Sequence, residues 1–419
     1  MPATDAVSTL TRTLAAHGLS ARVDAPILGP STLTYPLTLS PGTRVDELDR
    51  LTRTLALALG VEDVRVTRAA GILALEVPRA DRQAVTLSDV PIPDASPPLV
   101  WPVGLDTLGT PVFGNLARAP HVLIAGTTGA GKSTAVHALL STLTARNGPG
   151  SLRLALVDVK RVELAAYRDA PHLAGPIATD VEQATDLLAW ALEELERRYT
   201  TLEAVGARSV DDLGATVPRL VVVIDELADL MLTGRKTTEP LIVRLAQLGR
   251  AAGVHLVLAT QRPSADILSG LIRANVPTRL TLTVQSHTDS GIALGLSGAE
   301  TLAGAGDALW LPAGVRRPVR VQVPHAVGPT TLPERADPAP MPAEVAAIVD
   351  GPPERLCLLC HRWPALSAGV CLDPECVAET EAAWARADAA FHAGSDPVIA
   401  ALELRPSRWR MLWRAVTGR

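Results

Sequence analysis

The stretch His121–Leu140, "HVLIAGTTGAGKSTAVHALL", constrains this chain more than any other. His121–Ala125 is an apolar run long enough for one buried strand, and Ala135–Leu140 reads as helix. Between them stands the complete pattern G-x-x-x-x-G-K-[ST]: Gly126, Thr127, Thr128, Gly129, Ala130, Gly131, Lys132, Ser133, followed by Thr134. Small residues let backbone N–H groups curl around phosphate oxygens without Cβ clashes. The following helix points its positive end at the anion. In such a loop Lys132 reaches the β- and γ-phosphates and Ser133 ligates Mg²⁺. The segment predicts a phosphate-binding strand–loop–helix, and ATP with Mg²⁺ as its ligands.

A nucleotide site needs a second half. Arg219–Met231, "RLVVVIDELADLM", is an apolar strand ending in two acids. Asp225 suits a water-mediated Mg²⁺ position, and Glu226 suits polarising an attacking water. Acids also favour helix starts on structural grounds alone. Val254–Gln261 is a third apolar run, ending in Thr260-Gln261. Gln261 reads either as a sensor of the γ-phosphate or as a satisfied loop glutamine.

The 419 residues suit two or three domains. Residues 1–92 read as a small α+β module, with helical periodicity over Asp5–Ala16 and Arg44–Leu59 and strand-like runs at Ser31–Ser40, Val64–Ala69 and Ile72–Pro78. A Pro-rich entry follows. It ends in a short β entry, Pro98–Asp106, and over residues 119 to about 325 strands and helices alternate, which predicts a domain spanning 93–325 with a mostly parallel sheet and helices on both faces. Its strands are expected at His121–Ala125, Arg153–Asp158, Arg219–Asp225, Val254–Thr260 and Thr278–Val284, with a long helix at Val181–Val205. Residues 326–353 read as a Pro/Ala-rich linker, 354–380 as a metal module and 381–419 as a helical tail.

All four cysteines fall in one short stretch, as Cys357, Cys360, Cys371 and Cys376. Their spacing, C-x₂-C-x₁₀-C-x₄-C, lets four thiolates enclose one tetrahedral Zn²⁺ in a zinc-ribbon-like segment. The bland reading is four unconnected reduced cysteines. His361 can replace one ligand. Four ligands leave no open position, so such a site is structural, and its metal supplies much of a short segment's folding free energy. The tail sets Trp409 and Trp413 among Arg408, Arg410 and Arg414. It reads as a helix docked on its own domain, or one laid on DNA, an anionic membrane or a partner.

Net charge is −5 and the pI is near 6.0, so a generally basic DNA-coating protein is excluded. Any DNA contact must come from local positive loops. No run approaches ~18 uncharged apolar residues, so no membrane span is expected. The start of the chain lacks a signal-peptide layout. The expected location is the cytoplasm, with any membrane anchor or recruitment supplied by a partner through the C-terminal module.

The segments "PHVLIAGTTGAGKS", "LVDVKRVELAAY", "PHLAGPIATD", "VVVIDELADLM", "RLAQLGRAAGVHLVLATQRPSADILSGLIRANVPTRLTLTV" and "GAETLAGAGDALW" resemble, in order, the motor of FtsK/SpoIIIE DNA translocases. Residues 5–92 resemble that family's N-terminal cytoplasmic module. The resemblance covers about 5–325. It implies a RecA-like P-loop NTPase motor that forms a homo-hexameric ring and pumps double-stranded DNA with ATP. It places Lys132 and Ser133 on phosphate and Mg²⁺, Asp225 and Glu226 in the hydrolytic pair, and Gln261 near the γ-phosphate. It makes Arg262–Arg279 a candidate for pore loops and subunit contacts, with Arg250, Arg273 and Arg279 as arginines for DNA or a neighbouring subunit. Any one of these arginines can instead serve a surface or structural ion pair.

Three departures stand out. No N-terminal membrane domain and no C-terminal winged-helix module are seen. Asp289-Ser290-Gly291 stands where the family often reads Asp-Ser-Arg. Chromosome segregation and a mobile element's DNA transfer both fit the resemblance. Two alternatives stand beside it: a secretion-type ATPase of the same fold that moves polypeptide, and a nucleotide-gated adaptor acting through its zinc module.

Overall fold

Three apolar runs, His121–Ala125 (β8), Arg219–Ile224 (β10) and Val254–Thr260 (β11), are buried along almost their whole length. Strands covered on both faces read as continuous apolar runs, which is why these segments show no alternation. The computed structural model describes residues 3–69, 72–213 and 217–329. Leu152–Val157 (β9) and Thr278–Leu282 (β12) complete a parallel set in the order β12-β8-β11-β10-β9, with Leu123 opposite Leu258 and Val222 opposite Leu256.

The sheet does not stop there. Asp307–Leu311 (β13), Val319–Gln322 (β14), Val100–Asp106 (β6) and Pro111–Asn115 (β7) extend it antiparallel beyond β12, to nine strands. The expectation of a mostly parallel sheet is therefore corrected to five parallel and four antiparallel strands. The added strands are short, and periodicity over four to seven residues is a weak signal.

Helices cover both faces. Lys132–Arg146 (α3) packs Val136, Leu139, Leu140 and Leu143 against Val122, Ile124, Leu154 and Leu280. On the other face Val181–Val205 (α4), Leu227–Thr233 (α5) and Arg235–Ala252 (α6) enclose Leu123, Val222, Leu256 and Leu258. The bounds of α4 follow from its caps. The Asp180 carboxylate accepts from the Gln183 amide at 2.8 Å, and Gly206 closes the far end with φ of 68°. Gly270–Asn275 (α7) and His287–Ala293 (α8) bracket β12.

Residues 3–78 build a separate sheet. Ala21–Val23 (β1), Thr32–Leu39 (β3), Ile72–Pro78 (β5) and Arg65–Ala69 (β4) pair antiparallel in that order, with Ile27–Leu28 (β2) beside β3. Ala3–Ala16 (α1) and Val45–Leu59 (α2) bring Leu10, Leu14, Leu48 and Leu55 onto Tyr35, Leu37 and Leu75. One buried ion cluster joins this sheet to the larger one. Arg320 on β14 grips Asp307 at 2.7 and 2.9 Å and reaches Glu76 on β5 at 3.1 Å. Burial lowers the Arg320 pKa, but the two carboxylates outweigh it and raise the group overall. At the same junction Thr34 donates to the Thr107 carbonyl at 3.1 Å, and a Cβ on Gly29 would collide with that carbonyl at 2.4 Å.

The cysteine segment with Cys357, Cys360, Cys371 and Cys376, the linker from residue 330 onward and the Trp409/Trp413 tail lie outside the described residues. Among the described residues no helix is long and apolar enough to cross a membrane, and no cluster of three or more His, Cys, Asp or Glu forms a metal site.

His121 and His255 stand near the starts of adjacent strands, each 1% exposed. The Leu256 amide donates to His121 Nδ1 at 3.0 Å, and His255 Nδ1 lies 3.2 Å from the Pro120 carbonyl. Burial lowers both pKa values, His121 to about 4 and His255 well below its usual range. The unfolded chain then takes up these protons near pH 6.5 while the folded chain does not. Their contribution to stability is complete above pH 6.5 and is lost as pH falls towards 4. Melting temperatures measured from pH 8 to 4.5 should fall below pH 6.5, with a shallower fall in His121→Asn.

Candidate functional site

At the carboxyl end of β8 the backbone turns through Gly126–Gly131 into α3. Gly129 and Gly131 take φ of 79° and 106°, the left-handed region that Cβ disfavours. The loop is braced from behind. The Thr127 amide and hydroxyl both donate to the Thr283 carbonyl, at 2.9 and 3.1 Å. The Gly306 amide donates to the Ala130 carbonyl at 2.8 Å. A Cβ on Gly131 would sit 2.9 Å from the Gly306 nitrogen. The first turn of α3 presents amides without intrahelical partners towards this loop. The cradle thus has the geometry to wrap an anion with main-chain donors.

Lys132 lies in the first turn of α3 and is 3% exposed. Its ammonium donates to the carbonyl and the carboxylate of Asp225, both at 2.7 Å. Two of its three donors are used there, and a phosphate oxygen has the charge to compete for them. Asp225 follows the end of β10, as expected. Burial raises its carboxyl above the usual range; Lys132 pulls it down, while Glu163 and Asp158 push it up again. Asp158 follows β9, accepts from the Leu164 amide at 2.9 Å with one oxygen, and leaves the other buried without a partner among the described residues. The Ser133 hydroxyl and the Asp225 carboxylate are hard oxygen donors of the kind Mg²⁺ takes, and the orphaned Asp158 oxygen adds negative charge nearby.

Glu226 is buried and caps α5. It accepts from the Thr260 hydroxyl at 2.7 Å, the Gln261 amide at 3.1 Å and the Ala228 amide at 3.3 Å. Lys160 stands 3.4 Å away. The Gln261 side chain accepts from the Thr128 hydroxyl at 2.8 Å. Gln261 therefore touches the phosphate loop with its side chain and Glu226 with its backbone. The structure brings together Gly126–Thr134, Asp225, Glu226 and Gln261. It adds Asp158, Lys160, Glu163 and Thr260, which were not singled out in the sequence. The available signal was "DVKRVE", a cluster of charges directly after a buried strand.

The arginine candidates separate. Arg250 is exposed on α6. Arg279 on β12 donates to the carbonyls of Ala293 at 3.2 Å and Arg273 at 2.9 Å, so its guanidinium ties α7 and α8 to the sheet. Arg273 on α7 is half-buried, with its Nε unpartnered among the described residues. Gly291 sits on α8 with no atom within 4 Å of where a Cβ would lie, so the backbone here has room for a side chain.

The model of the FtsK/SpoIIIE family matches residues 86–219 and 212–265, and that of the FtsK alpha domain matches 3–79. DNA translocase FtsK of Streptomyces avermitilis is 41% identical over 330 residues, 72% of this chain and 36% of that protein. DNA translocase SpoIIIE of Bacillus subtilis is 38% identical over 336 residues, 75% of this chain and 42% of that protein. The chain thus spans between about a third and a half of the length of the curated relatives it matches. Among solved structures, a monomer form of the pCW3 conjugation coupling protein TcpA with ATPγS shares the fold, with a TM-score of 0.53 and 24% identity over 77% of this chain and 95% of that one.

Two glycine substitutions test the cradle. Gly129→Ala meets only the unfavourable φ and should cost about 1 kcal/mol of stability. Gly131→Ala adds a collision with Gly306 and should cost more, about 2–3 kcal/mol, with weaker ATP binding. Urea unfolding and equilibrium ATP binding check both.

Proposed function

The chain belongs to the FtsK/SpoIIIE family, and on that premise we propose that it is an ATPase that drives double-stranded DNA through a homo-hexameric ring in the cytoplasm. The observation that carries this reading is the join at Gln261, which connects Glu226 to Thr128 of the phosphate loop. A residue placed between a hydrolytic acid and a phosphate cradle can report whether the γ-phosphate is present.

In this reading the Gly126–Thr134 backbone holds the phosphates and Lys132 turns from Asp225 to the β- and γ-oxygens. Ser133, and Asp225 through water, would hold Mg²⁺, which would supply charge neutralisation at the phosphate oxygens. Glu226 accepts a proton from the attacking water, with Thr260 and the Gln261 amide fixing its carboxylate. Arg250 and Arg273, neither committed to a carbonyl by its guanidinium among the described residues, are the better candidates for a neighbouring subunit or DNA; Arg279 acts through the position of α7. DNA would be held by its phosphates, which suits a motor indifferent to sequence. The four cysteines would hold Zn²⁺ in a module that docks DNA or a recruiting partner. The relatives' names support DNA translocation, in chromosome segregation or in a mobile element's DNA transfer.

ATP hydrolysis by the purified chain, with and without long linear duplex DNA, tests the reading. Duplex should raise the rate several-fold. Lys132→Ala should abolish it, and Glu226→Gln should lower it about a hundredfold or more while ATP still binds. A rate indifferent to duplex would remove the DNA assignment and leave the ATPase. Metal analysis should find one zinc per chain, lost in Cys357→Ser.

A further inference from the structure

Ser133, His137 and Ser141 recur every four residues along one face of α3. Glu163 and Tyr167, also four apart, face them from the segment that leaves β9. These five side chains form one file. The Ser133 hydroxyl donates to Glu163 Oε1 at 2.6 Å. The other Glu163 oxygen lies 3.6 Å from His137 Nε2. His137 Nδ1 is 3.2 Å from the Tyr167 hydroxyl, with the two rings stacked at 5.7 Å. The Tyr167 hydroxyl is 3.2 Å from Ser141 Oγ, and Ser141 donates to the Gly328 carbonyl. His137, Ser141 and Tyr167 are buried, so the far end of the file is fixed by packing.

A serine hydroxyl that ligates a cation offers it a lone pair and must place its own proton elsewhere. Glu163 is the acceptor, at a distance typical of O–H···O⁻ bonds. An ionised acceptor fixes the serine rotamer and makes its oxygen a better ligand, as outer partners of metal ligands do. We propose that Glu163 is a positioning residue for Mg²⁺, acting through Ser133 and held in register by His137, Tyr167 and Ser141. The inference rests on the ATP–Mg²⁺ reading of the site and extends it to a residue outside both nucleotide motifs.

The test is ATP affinity of the full chain, measured once with Mg²⁺ and once with EDTA. Wild-type protein should bind ATP more tightly with Mg²⁺. Glu163→Ala should weaken binding about tenfold or more in Mg²⁺, yet stay within about twofold of wild type in EDTA. Glu163→Gln retains an oxygen acceptor and should fall between, which also guards against a folding defect in the alanine variant. Ser133→Ala should lose the same Mg²⁺ gain, and the double variant should lose no more than either alone. Mg²⁺-dependent affinity in Glu163→Ala equal to wild type would overturn the proposal. An equal loss in Mg²⁺ and EDTA would also overturn it, as a merely structural role. If Ser133→Ala kept the full Mg²⁺ gain, the ATP–Mg²⁺ reading itself would fall, and the role of Glu163 with it.

Discussion

A buried ammonium must have an anion beside it, and the site is arranged around that requirement. Lys132 is fixed by the turn into α3, and Asp225 by the end of β10, two strands away in the sheet. Their 2.7 Å contact closes only if β8, β11 and β10 keep their parallel register. Breaking one partner of such a pair costs about 3–5 kcal/mol, because the other charge is stranded. The same demand explains the apolar runs. Strands with apolar interiors, covered on both faces, can hold a charge just past their ends at a defined depth.

The central fold was legible because its physical causes are local. Continuous burial marks β8, β10 and β11. Asp180 and Gly206 bracket α4, and the glycine spacing marks the phosphate loop. Less legible was everything that depends on pairing across long separations. β13 and β14 form a short antiparallel pair that joins β6, more than 200 positions earlier in the chain, and no periodicity announces such a partner. The strand ends were read one or two residues too long at Asp158, Asp225 and Val284, since propensity does not register where the ladder stops.

The nucleotide site divides in the same way. Gly126–Thr134 and the Asp225-Glu226 pair follow known spacing, so their residues could be named in advance. Glu163 is 30 residues from Ser133 and meets it only because β9 lies three strands away from β8 and the chain returns across the sheet's end. Arg279 shows the opposite case. An arginine in a promising segment has its donors occupied by carbonyls of α7 and α8, a commitment only coordinates reveal.

The Arg320 cluster has a consequence for how such chains can diverge. Asp307, which Arg320 grips, follows Gly306, whose amide braces the phosphate loop through Ala130. Glu76 in the amino-terminal sheet and the loop that cradles phosphate thus meet at one shared turn, through ion pairs to Arg320 and Asp307 on one side and a hydrogen bond from Gly306 on the other. A drift at Glu76 that left Arg320 unchanged would leave that buried guanidinium to Asp307 alone, with one of its donors unpaired beside the turn. Position 76 and position 320 should therefore change together in lineages, and chimaeras that splice the amino-terminal sheet of one relative onto the larger sheet of another should tolerate the join only when both inherit a matching charge pair.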